Sequence, residues 1–207
     1  MRCFIFSSAV IEDYKWLEKM DFSDSFIICA DGGIKHAKEL GLIADVWMGD
    51  GDSYTEGTPF AKEIFTFPPQ KDNTDTDLAV MLALDRGFKD ITLIGCLGGR
   101  IDHEFSHFCL LKKIVDNDGE GLILDRKNCV MMKKNSFILK SCDKKYVSFF
   151  PFGGDVTAFS VKGLKYECEN IRLKCGEVQA SSNCFEEGKA ASIEFNSGYV
   201  LVICSDD

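Results

Sequence analysis

Along residues 1–126, short apolar runs alternate with segments of helical period; beyond them the helical period disappears. Runs such as Phe26-Ile27-Ile28-Cys29 are continuous and short, the pattern of strands in a parallel sheet wrapped by helices. The pattern predicts strands at 3–6, 26–30, 64–67, 91–95 and 122–124, with helices at about 10–20, 34–40, 76–86 and 103–115. Gly41 and Gly87 follow two of these helices, where a left-handed C′ residue is commonly needed. Thr74 with Asp77 resembles a capping-box variant at the start of the third helix. From residue 127 to 207 short β-rich runs take over, with strands expected at 146–150, 156–161, 191–195 and 199–203 and turns at 153–155 and 196–198. The expected fold is therefore an α/β parallel-sheet domain over 1–126 followed by an all-β sandwich or open barrel over 127–207.

Composition changes this picture little. Apolar residues make up 45% and charged residues 28% of the 207, values of an ordinary globular protein that exclude a disordered or fibrous chain. The ten cysteines are scattered, form no Cys-x-x-Cys pair and sit mostly in apolar runs, so reduced, buried thiols are expected rather than a disulfide framework. The first apolar run soon meets Glu12 and Asp13 and is too short for a signal peptide. No segment approaches membrane-spanning length, and the expected compartment is the cytoplasm. A net charge of −9 argues against a nucleic-acid surface, which needs clustered Lys and Arg. A polyanionic ligand would instead need a metal ion or backbone N–H groups.

Four acidic or glycine-rich segments follow strand candidates, the position at which open α/β sheets bind ligands. They are Ala30-Asp31-Gly32-Gly33, Gly49-Asp50-Gly51-Asp52-Ser53, the run from Lys71 to Asp77, and Gly98-Gly99-Arg100-Ile101-Asp102-His103. Asp50 and Asp52 fit the one or two carboxylates that Mg²⁺ takes beside substrate phosphates. Asp72, Asp75 and Asp77 repel one another unless a cation or solvent relieves them. Gly98-Gly99-Arg100 joins a strand to a helix, offering backbone N–H groups and a guanidinium fork to phosphate oxygens; its spacing is neither a Walker A loop nor a dinucleotide fingerprint. Each segment alone also reads as ordinary structure: a polar turn, a helix start rich in Asp, a tight glycine turn. His103 and His107 lack zinc spacing and read as satisfied histidines, with His103 beside Asp102 able to touch a nucleotide.

Taken jointly, in order and spacing, these segments resemble the thiamine pyrophosphokinase (thiamine diphosphokinase) family. The resemblance continues at Gly163-Leu164-Lys165-Tyr166, Glu169-Asn170 and Ser182-Asn183, and so covers almost the whole chain. It implies a nucleotide-binding α/β domain with a β-sandwich domain for thiamine binding and dimerisation, in a homodimer with the active site between subunits. It implies ATP as co-substrate, Mg²⁺ as cofactor and thiamine as acceptor. Asp50, Asp52 and Asp75 look like the Mg²⁺ carboxylates. Lys71, Asp72 and Asp77 accompany Asp75 as catalytic or orienting groups, with Asp72 the candidate base and Thr74 a substrate contact. Asp31, Gly32, Gly99, Arg100, Asp102 and His103 look like the ATP contacts, and Ser182 and Asn183 the thiamine contacts. His107 stands where the family often has Asn, and Cys184-Phe185 where an acidic residue is more usual. The alternatives are a Mg²⁺-dependent phosphohydrolase and a catalytically silent thiamine or nucleotide sensor.

Overall fold

The first apolar run of the chain becomes an inner strand of a parallel sheet. In the computed structural model, which describes residues 1–50, 59–68, 70, 72–186 and 189–207, the chain divides into two units, Met1–Arg126 and Lys127–Asp207. Asp52 and Lys71 lie outside the described residues.

In the first unit, β1 (Arg2–Phe6), β2 (Phe26–Ala30), β3 (Ala44–Gly49), β4 (Ala61–Thr66), β5 (Asp90–Ile94) and β6 (Glu120–Leu124) run in the order β6-β5-β1-β2-β3-β4. Every neighbouring pair among them is parallel. A short 3₁₀ turn, Asp31–Gly33, leads into α1 (Ile34–Glu39); α2 (Asp75–Asp85) and α3 (Ile101–Asp116) complete the crossovers. α2 buries Ala79, Val80 and Ala83, and α3 buries Leu110, Leu111, Ile114 and Val115. Phe4, Phe6, Ile27, Cys29, Ile34, Ala37, Trp47 and Ile94 form one apolar cluster with Leu17. Thr74 accepts the Asp77 N–H at 3.1 Å as the N-cap of α2, and Gly41 and Gly87 both adopt positive φ.

Two expectations for this half are corrected. Residues 10–20 form no helix but a series of turns, in which the Leu17 and Glu18 N–H groups reach the Tyr14 carbonyl at 2.8 and 3.0 Å. The Asp13 carboxylate takes the Lys15 N–H at 3.0 Å, a local bond that competes with helical pairing, and Leu17 is the one fully buried residue of the stretch. Strand β3 has no counterpart among the expected elements, because Asp45 interrupts its apolar run. That carboxylate is accommodated by the Ile27 N–H at 2.8 Å and the Lys62 ammonium at 2.7 Å.

The second unit contains β7 (Asn128–Lys133), β8 (Phe137–Leu139), β9 (Tyr146–Pro151), β10 (Val156–Lys162), β11 (Cys168–Leu173), β12 (Ala180–Cys184), β13 (Ala191–Glu194) and β14 (Val200–Ser205). Antiparallel pairing gives two runs of four strands, β12-β9-β14-β7 and β11-β10-β13-β8. Val147, Phe149, Val200 and Val202 of the first run share a core with Val156, Phe159, Val161 and Ile193 of the second. Among the described residues no helix is long and apolar enough to cross a membrane.

Candidate active site

Strands β1 to β4 extend the first unit's sheet in one direction, and β5 and β6 extend it in the other. The order therefore reverses between β1 and β5, and a crevice at the carboxyl ends of the strands is the expected ligand site in such a sheet. A cleft of about 510 Å³ lies there. Its wall includes Ser7, Ser8 and Ala9 after β1, Asp31 after β2, Asp50 after β3, and Gly95 and Cys96 after β5. Asn73 to Thr76 at the entry to α2, and Gly98, Gly99, Arg100, His103 and Glu104 at the entry to α3, add to it.

Local packing fixes these loops. The Ser7 and Ala9 N–H groups bond to the carbonyls of Ile94 and Gly95 at 2.7 and 2.9 Å. A Cβ on Gly95 would come within 2.5 Å of the Ser7 carbonyl oxygen, and its φ is +71°, so only glycine fits. The Ser7 hydroxyl also pairs with that of Thr76 at 2.8 Å, tying the β1 loop to the start of α2. Below this loop the His36 Nε2–H donates to the Ala9 carbonyl at 3.0 Å, which leaves Nδ1 to accept from Tyr14 at 2.6 Å. His107, buried, donates through Nδ1 to the Cys96 carbonyl at 2.8 Å. Burial depresses the pKa of both histidines, so they hold backbone carbonyls as neutral rings. The Cys96 thiol is pushed up to about 12 by burial, and the cleft thus holds no activated thiolate.

Of the residues picked out by sequence, Asp31, Asp50, Thr74, Asp75, Gly99, Arg100 and His103 all line this cleft. Asp31 adopts φ +48° and its carbonyl is held by the Trp47 indole at 2.9 Å. Gly32 is buried in the 3₁₀ turn beside it. Asp72 is exposed just before the lining begins. Asp77 points its carboxylate away to Asn73, at 2.6 Å, and to the Lys113 ammonium, which anchors the start of α2 to α3. Asp50 and Asp75 bring hard oxygen donors to this cleft, a donor set suited to a small divalent cation. Among the described residues no group of three or more His, Cys, Asp or Glu gathers as a metal cage. Mg²⁺ needs none, because it completes its shell with water and substrate oxygens.

The glycine loop is already engaged by acids of the helix it precedes. The Gly98 and Gly99 N–H groups both donate to one oxygen of Glu104, at 2.9 and 2.8 Å. The Arg100 guanidinium grips Asp102 through Nε at 3.2 Å and through its second nitrogen at 2.6 Å. This pairing holds the Asp102 carboxyl below the usual range, yet both side chains are largely exposed, so another anion can compete for the guanidinium. Two amides and a guanidinium converging on carboxylates make an anion cradle. Sequence reading missed Glu104, because an acid in a first helical turn looks like a dipole partner. It also missed Ser7, Ser8 and Ala9, whose only signal was small residues directly after a strand.

Ser182 and Asn183 belong to the second unit, on β12. Ser182 is exposed at φ +57° where the β12–β9 register shifts, and such bulges re-aim side chains. The Asn183 amide is turned inward: it accepts the Tyr166 N–H at 3.0 Å and donates to the Tyr166 carbonyl at 2.7 Å.

Residues 17–122 match the family model for the thiamin pyrophosphokinase catalytic domain, and residues 135–200 match that for the thiamin pyrophosphokinase vitamin B1 binding domain. A thiamine pyrophosphokinase of Bacillus subtilis (strain 168) is 30% identical over 187 residues, 87% of each chain. A crystal structure of thiamine pyrophosphokinase from Bacillus subtilis aligns with a TM-score of 0.89 at 26% identity, covering 100% of both chains. One of a thiamin pyrophosphokinase family protein from Enterococcus faecalis aligns at 0.87, also with 26% identity and 100% coverage of both. With a cleft at the switch point of its sheet and matches to both of the family's domain models, the chain belongs to the thiamin pyrophosphokinase family.

Proposed function

We propose that the protein transfers the diphosphate group of ATP to the hydroxyl of thiamine, giving thiamine diphosphate and AMP. One observation carries this reading: Asp50 and Asp75 line the same cleft as Gly99, Arg100 and His103. Carboxylates for a cation and donors for phosphate thus share one site. The first unit is read as the ATP-binding catalytic domain, and the second as a β-sandwich that binds thiamine through Ser182 and Asn183 and forms a homodimer. The family resemblance supports an active site between subunits of that dimer, and a cytoplasmic enzyme.

Asp50 and Asp75, with Asp52, would hold Mg²⁺, which when bound neutralises charge on the polyphosphate. The chain's own groups do the rest. Gly98 and Gly99 amides and Arg100 fix the phosphates, and His103 and the Asp31 turn flank the nucleotide. Positioning of the acceptor hydroxyl in line with the β-phosphorus supplies much of the rate. A carboxylate in the loop before α2, Asp72 in our assignment, accepts the hydroxyl proton. The deciding assay incubates the protein with thiamine, ATP and Mg²⁺ and identifies products. AMP with thiamine diphosphate is expected; inorganic phosphate alone points to a phosphohydrolase, and stabilisation by ligand without turnover to a sensor.

Glu104 has a specific consequence for this reading. Its carboxylate occupies the two amides that a phosphate would use, so nucleotide must displace it. Glu104→Gln keeps the side-chain shape and removes the charge. The variant is expected to lower the KM for ATP about fivefold, the equivalent of about 1 kcal/mol for one competing hydrogen-bonded group. A raised KM with the same kcat would show instead that Glu104 mainly orders the loop.

A further inference from the structure

His36 and His107 are both buried in the first unit, and they differ in how their nitrogens are used. His36 is satisfied on both sides, by the Tyr14 hydroxyl at Nδ1 and the Ala9 carbonyl at Nε2. His107 is only 5% exposed and has its Nδ1 2.8 Å from the Cys96 carbonyl. A carbonyl oxygen only accepts, so Nδ1 carries the proton. Nε2 has no hydrogen-bond partner among the described residues, and it is not among the side-chain atoms sealed from solvent. His107 lines the cleft; with Nδ1 committed to Cys96, the nitrogen left for the cleft is Nε2.

A neutral ring protonated at Nδ1 offers a lone pair at Nε2, and burial disfavours the charged ring that would lose it. Phosphate oxygens are acceptors and cannot use that lone pair; it needs an N–H or O–H. ATP carries such donors only in its nucleoside, as ribose hydroxyls and the adenine amine. The placement agrees. Arg100 and His107 are seven residues apart, two turns of α3, and so lie on one face about 10 Å apart along its axis. With the polyphosphate held at Gly98, Gly99 and Arg100, the nucleoside is the part of the ligand that extends along that face. Thiamine also carries donors, but its proposed contacts are on β12 of the second unit.

From this arrangement we infer that His107 is a specificity-determining residue for the nucleotide, its Nε2 accepting a hydrogen bond from a ribose hydroxyl or the adenine amine. The inference rests on the reading of the cleft as the ATP site. An analogue that lacks the donor leaves Nε2 unpaired beneath a ligand that keeps water out, and one with a carbonyl in place of the amine sets two acceptors against each other. Either loss discriminates against the analogue without touching the phosphate cradle or the carboxylates. The bond to Cys96 fixes the ring, so the lone pair is aimed before the nucleotide arrives.

The test separates the two ring nitrogens. An Asn amide reaches the position of Nδ1 but not that of Nε2, so His107→Asn keeps a donor for the Cys96 carbonyl and removes the acceptor. Dissociation constants are measured by calorimetry on the full chain, with Mg²⁺ and without thiamine, for ATP, 2′-deoxy-ATP, 3′-deoxy-ATP and inosine triphosphate. The parent is expected to bind one of the analogues on the order of fivefold more weakly than ATP, the effect of one neutral hydrogen bond. His107→Asn should bind ATP about as weakly as that analogue and no longer tell the two apart. His107→Gln, whose longer amide reaches the position of Nε2, should restore the preference while melting lower for loss of the Cys96 bond. A deoxy analogue as the disfavoured ligand assigns the ribose, and inosine triphosphate assigns the adenine amine. Preferences that are the same in His107→Asn and the parent, or a parent that binds all four nucleotides alike, would overturn the inference. So would an effect confined to the KM for thiamine in steady-state assays. Because binding is read without the acceptor, failure to turn over thiamine would sink the proposed function alone, and unchanged preferences with turnover intact would sink only the role of His107.

Discussion

Changing Asp75 to Asn is expected to reduce turnover at fixed Mg²⁺ by about 10²–10³-fold, or about 3–4 kcal/mol of barrier, the scale of losing one preorganised electrostatic contact. The side chain lines the cleft at the first position of α2, and Asn preserves its volume while removing the charge that holds a cation. Its structural role is much smaller. A carboxylate in a first helical turn contributes only about 0.3–1 kcal/mol through the dipole, and Thr74 still caps the helix through Asp77. The variant should therefore melt within a few degrees of the parent while its Mg²⁺ dependence moves to higher concentration. Asp50→Asn should behave alike, being placed after β3 and lining the same cleft. Steady-state rates over a Mg²⁺ series, with thermal melts of the same samples, check this. Full activity in both variants would remove the carboxylate pair from the mechanism.

The parts of this site that sequence revealed are those that carry charge or glycine directly after an apolar run. Asp31 follows β2, and Gly99 and Arg100 follow β5; these loops were legible because a parallel sheet delivers all its carboxyl ends to one edge, whereas Asp50 stood out only as an acid beside Gly51 and Asp52. The α2 cap was readable from Thr74 and Asp77 alone. What sequence hid is tertiary. Strand β3 was invisible because nothing local says that Asp45 will find Ile27 and Lys62. The turns at 10–20 looked helical because Tyr14, Leu17 and Met20 share a helical spacing, while the choice between helix and turns rests on Asp13 and on Leu17 reaching the core. Asp77 read as one more acid of a crowded cluster, yet Lys113, 36 residues on, takes it as an ion-pair partner. The acids that cluster in sequence are thereby divided in space, Asp75 toward the cleft and Asp77 toward α3.

Gly33→Ala should be the most damaging single methyl that can be added near the site. Gly33 has an ordinary helical φ of −58°, so backbone freedom is not the issue. A Cβ built there would stand 2.0 Å from the Phe6 carbonyl oxygen and 2.5 Å from its carbon. Phe6 cannot retreat: it is paired with Cys29 on one side and Ile94 on the other, inside the sheet. The 3₁₀ turn and α1 must move instead, carrying Asp31 with them. Overpacking of this kind typically costs about 1–3 kcal/mol and more where backbone is struck, so a loss of about 3 kcal/mol is expected. In a domain of this size that lowers Tm by roughly 10 °C. Gly99→Ala provides the contrast, since its Cβ would meet only the Ala9 side chain at 3.9 Å. That variant should melt like the parent but raise the KM for ATP, because the added methyl stands where phosphate approaches the loop. Thermal melts of the two, with nucleotide titrations of the second, separate glycine kept for packing from glycine kept for the ligand. Equal melting temperatures for Gly33→Ala and the parent would mean that the 3₁₀ turn yields without strain, and that Asp31 is not held in place by the strand beneath it.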